Sequence, residues 1–260
     1  LKTGLRKFAT FKKNRAFTYK LLLVWAVLLL GGGSVYGFSI NISSDPETTP
    51  GEVAETVEIL FILTTIGLIP SILVLMTCFT RIIIVLGFLR RALGLQTMPP
   101  DQIIVGITLF LTMFIMWPTF EQIYQDAFVP YKNNEGTLED FQVRALHPLR
   151  RFMFDQTRKS DLRVMIDLAN IEDPQTEDDV PTHVLVPSFV ISELTRAFKI
   201  GFLIFLPFFL IDMVVAAILM SMGMMMLPPV MISLPFKVLL FVLIDGWNLL
   251  IVNLVAGFTP

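Results

Sequence analysis

Three ionisable side chains stand where the surrounding sequence is otherwise apolar. Asp212, Lys237 and Asp245 are the only charges between Ile200 and Pro260. An ionised group on a lipid-facing helix costs at least about 2.5–3.5 kcal/mol on insertion scales, so each of these should face protein or water and have a partner. Two chemistries fit: an ion pair that fixes helix register, or a proton or ion relay. Three scattered groups are few for a relay, and the pair is the simpler reading. The run Met213–Phe236 between the first two charges holds seven of the chain's thirteen methionines. Met224, Met225 and Met226 stand side by side between Gly223 and the breaker pair Pro228–Pro229. Methionine is unbranched, flexible and only weakly polar, so such a cluster can line a constriction, plug a pore or fill a gap in a helical core.

Other reactive residue types are sparse. The single cysteine, Cys78, lies in an apolar run, which excludes an intramolecular disulfide framework and argues against a Cys-based metal site. His147 and His183 are 36 positions apart with no ligand cluster around them, as ordinary loop or surface histidines would be. There is no Gly-rich phosphate loop, no HExxH and no nucleophile with a plausible histidine partner. An enzyme is not expected, nor a cofactor. If the chain takes part in transport, hydrolysis or proton flow should belong to its partners.

The elements that position these residues belong in a membrane. The 260 residues are 54% hydrophobic and only 16% charged, with a mean hydropathy of +0.71, too apolar for an ordinary soluble domain. The net charge of −2 hides a partition: residues 1–20 carry seven Lys or Arg and no acid, whereas 38–58 carry five acids and no base. That asymmetry encodes orientation rather than affinity for nucleic acid. Residues 1–37 read as a signal peptide, with a basic n-region, the apolar run Leu21–Leu30 and small residues after it, or as an uncleaved anchor. An acidic linker outside the cytoplasm follows over 38–58. Residues 59–120 read as a helical hairpin. Its first arm, Ile59–Thr80, is long enough to span and kinked at Pro70; its second is Gln102–Phe120, with Asp101 available as a cap. The connecting segment, with Arg81, Arg90 and Arg91, reads as a basic cytoplasmic loop whose charges set orientation, the other use being a partner or anionic headgroups.

Residues 121–199 form the one sizeable polar section, with 14 acids against 9 bases, a balance that suits a translocated segment. It reads as mostly helical. Thr137 with Asp140 should cap one helix, Pro148 begin another and Ser160 cap a third, while 182–186, held between Pro181 and Pro187, should be extended. Arg158 and Asp161 form an i,i+3 pair that could instead bridge subunits. Residues 200–260 read as a second hairpin, with helices over roughly 189–222 and 230–257 joined by the methionine turn. Phe202, Phe205, Phe208 and Phe209 recur near helical spacing and suit packing between subunits. The fold class is therefore an all-α membrane protein of long helical hairpins with a small helical extracytoplasmic section.

Three long strings carry a resemblance: FTRIIIVLGFLRRALGLQTMPPDQ (79–102), PSFVISELTRAFKIGFLIFLPFFLIDMVVAAILMSMGMMMLPP (187–229) and ISLPFKVLLFVLIDGWNLL (232–250). From about residue 56 onward the chain resembles the FliP family, components of the flagellar type III protein-export gate. Ser188 departs from the alanine of the family pattern. The signal-like N-terminus and the length are closer to the flagellar branch than to the virulence-type injectisome homologues. The resemblance implies a homopentamer joined by FliQ and FliR, with FlhB and FlhA nearby, in the bacterial inner membrane at the flagellar basal body. Together they would form the entry pore for unfolded flagellar proteins. It also implies that hydropathy misplaces the spans, because much of such an assembly is raised above the membrane plane. By the same resemblance Met224, Met225 and Met226 fall on a pore gasket, and Glu193 and Lys237 on charges that touch neighbouring subunits; Asp212, Arg158 and Asp161 are expected to join them at interfaces. The competing classes are a secondary transporter or ion channel built on Asp212, Lys237 and Asp245, disfavoured by the lack of an internal repeat and the few helices, and a purely structural scaffold.

Overall fold

The computed structural model describes residues 74–95, 97–171, 174–224 and 227–258, together with helical positions at 57, 60, 63, 64, 67 and 71. The chain divides into two compact units at Thr64–Thr65. The first has only those four helical positions up to Thr64 described, so the account below concerns the second. The signal segment, all of the acidic linker but Val57, the kink at Pro70 and nearly half of the span expected over 59–80 lie outside the described residues.

The described part is helical throughout. Helix α1 is Phe79–Ala92, α2 is Asp101–Ile123, α3 is Val129–Lys132, α4 is Leu138–Gln156, α5 is Lys159–Leu168, α6 is Thr182–Ser221, α7 is Pro229–Leu243 and α8 is Gly246–Ala256. A π turn over Tyr124–Phe128 carries α2 into α3, so that Asp101–Lys132 is one 32-residue apolar helix. That helix and the 40-residue α6 are long and apolar enough to cross a membrane, and α7 with α8 makes a bent third candidate. At 1.5 Å per residue α6 is about 60 Å long, roughly twice the hydrocarbon thickness, so part of it stands outside the bilayer.

The core is built around α1. Ile82, Val85, Leu86, Leu89 and Ala92 are buried at helical spacing on α1, and Met116 of α2, Ala197 and Phe208 of α6, Phe241 of α7 and Leu250 and Leu254 of α8 belong to the same cluster. The α1–α6 contact is the most extensive in the fold. It is close because Gly201 has no side chain: a Cβ there would lie 2.5 Å from the Phe88 ring. A second, smaller cluster, with Met153 of α4 and Val184, Leu185 and Phe189 of α6 at its centre, seats the polar section on the first turns of α6.

Several local expectations hold and several do not. The Thr137 and Asp140 capping box forms, with reciprocal bonds of 3.2 and 2.8 Å. Backbone and side-chain donors of Thr137 hold the Asp140 carboxyl below its ordinary range. Pro148, however, lies inside α4 rather than at a helix start, and Ser160 lies inside α5, whose N-cap is Arg158. Residues 182–186 are not extended. They open α6, which absorbs Pro187 and Pro207 because losing one backbone hydrogen bond at each is small against a continuous 40-residue helix. Asp101 does not cap α2; Pro100 holds that position, and Asp101 accepts a bond from Arg90 at 2.5 Å instead. The segment carrying Arg81, Arg90 and Arg91 is a helix, α1, and not a loop, because its apolar residues find partners on both sides. Finally, the helix expected over 230–257 is broken: α7 and α8 meet at 63°, with Asp245 in the left-handed region at φ 50°.

Candidate functional site

The methionine turn is closed by backbone geometry. After Ser221 the chain ends α6 with Gly223 at φ +74°, the Gly223 amide donating to the Met220 carbonyl and the Met224 amide to the Leu219 carbonyl, at 3.1 and 3.0 Å. This pair of bonds is the helix-ending motif that a left-handed glycine permits. Pro228 then caps α7 and Pro229 occupies its first position, where the missing amide costs nothing. Met220, Met222 and Met224 are exposed at this end of the hairpin. Met225 and Met226 lie outside the described residues.

Lys237 and Asp212 meet. The Lys237 ammonium donates to Asp212 Oδ2 at 2.6 Å and to the Ala92 carbonyl at 3.2 Å, and the Ser233 hydroxyl donates to Asp212 Oδ1 at 2.5 Å. The Ala92 contact follows from the way α1 ends. Gly94, at φ +76°, lets Gly94 and Leu95 donate back to Arg91 and Arg90, which leaves the Ala92 carbonyl for another donor. A buried cation supplies it and also meets the negative end of the helix dipole. The pair therefore ties the two arms of the methionine hairpin to each other and to the end of α1. Asp245, the third charge of the apolar stretch, is exposed and accepts from Asn248 at 3.0 Å.

Glu193 is completely buried, and its partner is Arg81 of α1. Arg81 Nε donates to Glu193 Oε2 at 2.9 Å and Nη2 to Glu193 Oε1; Nη2 also donates to Gln156 Oε1 at 3.0 Å, and Nη1 to the Gly257 carbonyl at 3.2 Å. Four of the five guanidinium donors are engaged. Its flat face lies 3.7 Å from the centre of the Phe258 ring. One side chain thus joins α1, α4, α6 and the segment after α8.

Next to it on α6, Ser192 receives the polar section. Its hydroxyl donates to Asp161 Oδ2 at 2.6 Å and accepts the Arg158 amide at 3.0 Å, while Arg158 grips Asp161 through Nε and Nη2 at 2.7 and 2.8 Å and reaches Thr195 Oγ1 at 3.1 Å. Partial burial pushes the Asp161 carboxyl up, but the bonds from Arg158 and Ser192 outweigh it and hold the group below its ordinary range.

Of the charges singled out in the sequence, Asp212 meets Lys237 and Arg158 meets Asp161, while Glu193 meets a residue that sequence reasoning had assigned to orientation. All five find partners inside their own chain. Arg81, Gln156, Ser192 and Ser233 were missed. The available signal for Arg81 was a lone cation followed by the run Ile82–Leu86, the same kind of signal that pointed to Lys237. Phe208 is buried within the chain and Phe202 is exposed, so the four phenylalanines do not act as one set. Among the described residues no three His, Cys, Asp or Glu side chains converge as a metal site would require.

Comparison with known proteins gives the family. The model described as the FliP family matches residues 62–254. A flagellar biosynthetic protein FliP of Bacillus subtilis is 52% identical over 221 residues, covering 84% of this chain and 98% of that protein. Its counterpart in Borreliella burgdorferi is 50% identical over 210 residues, covering 80% and 83%, and that of Caulobacter vibrioides is 41% identical over 245 residues, covering 94% and 91%. The match spans the α6–α7 hairpin, its ion pair and the buried Arg81–Glu193 node, and the chain belongs to the FliP family.

Proposed function

We propose that this chain, a FliP-family component of the flagellar export apparatus, is one subunit of the export gate. Copies of it, five by the family resemblance, assemble with FliQ and FliR, with FlhB and FlhA nearby, at the basal body in the bacterial inner membrane. Their methionine turns close the pore through which unfolded flagellar proteins leave the cytoplasm. The observation that carries the reading is the α6–α7 hairpin: arms pinned together by Lys237 and Asp212, and a turn bearing Met222 and Met224 with no charge in it. Its outward faces, including Phe202, Leu203, Leu210, Val214, Met231, Phe236 and Leu239, are apolar and exposed, as they would be in a subunit that packs against copies, partners or lipid. A ring of unbranched thioether side chains can close on itself against ions and repack around a passing chain of any sequence. The five charges then serve the assembly by holding the surfaces that neighbours meet; Asp212 and Arg158, 22% and 31% exposed, are the ones best placed to touch a neighbour directly.

A transporter using Asp212, Lys237 and Asp245 as a relay is less well supported, because Asp245 bonds to Asn248 and not to Lys237. Replacing Met224, Met225 and Met226 together by alanine tests the gate. Leakage of ions or small solutes across the membrane should rise while export of flagellar proteins persists. Unchanged permeability would sink the gasket, and uptake of a small solute by the isolated wild-type chain would favour the transporter.

A further inference from the structure

We infer that Arg81 and Phe258 form a latch that fixes the elbow between α7 and α8 and so positions the α7 arm of the methionine hairpin. The elbow is a defined joint. Asp245 is left-handed at φ 50° and ψ 52°, and Gly246 lies directly against the Phe241 ring, where a Cβ would stand 2.2 Å from the ring carbons. The Phe241 ring reaches across the bend to Gly246 and lies edge-on to Trp247 with centroids 5.4 Å apart. Beyond the bend, α8 buries Leu250 and Leu254 and leaves Leu249 and Val252 exposed. Its far end is held by the Gly257 carbonyl bonded to Arg81 and by the Phe258 ring under the guanidinium, which stacks in turn on Phe152.

The other end of α1 holds α7, through Lys237 at the Ala92 carbonyl. Helix α1 is therefore a strut across the elbow, bonded to α8 near its start and to α7 at its end. Residues 81 and 92 are separated by about 16 Å along a helix, whereas residues 237 and 257 would stand about 30 Å apart if α7 and α8 were one straight helix. The 63° bend shortens that separation to about 26 Å, which the Arg81 and Lys237 side chains span; straightening the arm would stretch the two contacts by about 4 Å. Releasing Phe258 loosens the far end of α8, and the α7 arm is then held by its own contacts: Lys237 and Ser233 on Asp212, and Phe241 against Phe208.

The test is a distance across the elbow in the full chain, purified and placed in lipid nanodiscs. Spin labels go on cysteines replacing the exposed Met231 and Asn253, in a Cys78→Ala background. For two straight rods meeting at 63° the backbone separation is about 29 Å, against about 33 Å for a straight helix. Phe258→Ala should broaden the distribution and lengthen it by up to about 4 Å, and Phe258→Tyr, which keeps a ring under Arg81, should restore the narrow wild-type distance. If Phe258→Ala proves too unstable to purify, Phe258→Leu, which keeps apolar bulk but removes the ring under Arg81, should also lengthen the distance, and an unchanged distance there would equally overturn the latch. A distribution unchanged in Phe258→Ala, even with a lowered melting temperature, would overturn the latch, as would an equal shift in Phe258→Tyr. The measurement involves no export and no leak, so its failure leaves the pore reading standing, and the failure of that reading leaves the latch standing.

Discussion

Replacing Glu193 by leucine tests whether the Arg81 node holds the fold together. The substitution leaves a guanidinium that is 2% exposed, with Nε unpaired and Nη2 reduced to its bond with Gln156. Breaking a buried ion pair from one side costs about 3–5 kcal/mol, because the remaining charge is stranded. That is a large part of the 5–15 kcal/mol typical of a domain. At about 2–4 °C per kcal/mol for a chain of this size, the melting temperature in mild detergent should fall by about 6–20 °C. The double variant Arg81→Met/Glu193→Leu removes both charges and should recover much of the loss, since an apolar pair of similar volume is often a neutral replacement for a buried salt bridge. Recovery should be incomplete. The Gly257 carbonyl loses its Arg81 donor, a bond worth about 1 kcal/mol at this exposed residue, whereas Gln156 keeps its bond from Arg196 at 3.2 Å. The reasoning fails if Glu193→Leu shifts the melting temperature by less than about 3 °C, or if the two single effects simply add to within about 0.5 kcal/mol in the double-mutant cycle.

Two further outcomes follow from the geometry. Because the Asp161 carboxyl titrates below its ordinary 3.8 in the folded chain, its contribution to docking α5 on α6 is complete above that value and lost as the pH falls through the lower folded one; amide exchange in α5 should accelerate in that acid window, and Asp161→Asn should flatten the dependence. Gly201→Ala sets a methyl 2.5 Å from the Phe88 ring and should cost about 1–3 kcal/mol by overpacking, a loss that Phe88→Leu on the facing helix should partly relieve in a melting experiment.

Much of this architecture is legible in the sequence where local chemistry decides it. The Thr137 and Asp140 box, the helix ending at Gly223 and the restart at Pro229 each depend on residues within a few positions of one another. The Asp212–Lys237 pair was also legible, because a charge in an apolar helix demands a partner and few were on offer. Arg81 and Glu193 are 112 positions apart; the apolar run after Arg81 signals a cation in need of a partner, but nothing local names Glu193, and only the packing of α1 into α6 brings the two together. The straight helix expected over 230–257 overlooked the Asp245–Gly246 dipeptide, which is a turn signal in its own right, because the apolar run continues on both sides. At 182–186 the rule that proline restrains its neighbour pointed to extended chain. Burial of Val184, Leu185 and Phe189 against α4 outweighs that restraint, a tertiary effect that no window of sequence contains.

The placement of the buried charges follows one physical logic. The α6 acids Glu193 and Asp212 each neutralise a cation, Arg81 and Lys237, and each cation reaches a carbonyl at the C-terminal end of another helix: Gly257 after α8 and Ala92 of α1. Ala92 is buried, and a carbonyl that water cannot reach is best satisfied by a cation that also meets the helix dipole; Gly257 is exposed, so there the cation tethers the end of α8 instead of rescuing a buried acceptor. The cation must then be neutralised where it stands, and α6, the longest helix and the one against which α1 packs most closely, is the element available for that. Asp245 lies outside this scheme, exposed and bonded to Asn248. The arrangement therefore accounts for charge in the C-terminal hairpin without an ion path, and it puts that charge along the arms. The turn itself is left with methionine, glycine, leucine and proline, residues that can repack without breaking an ion pair.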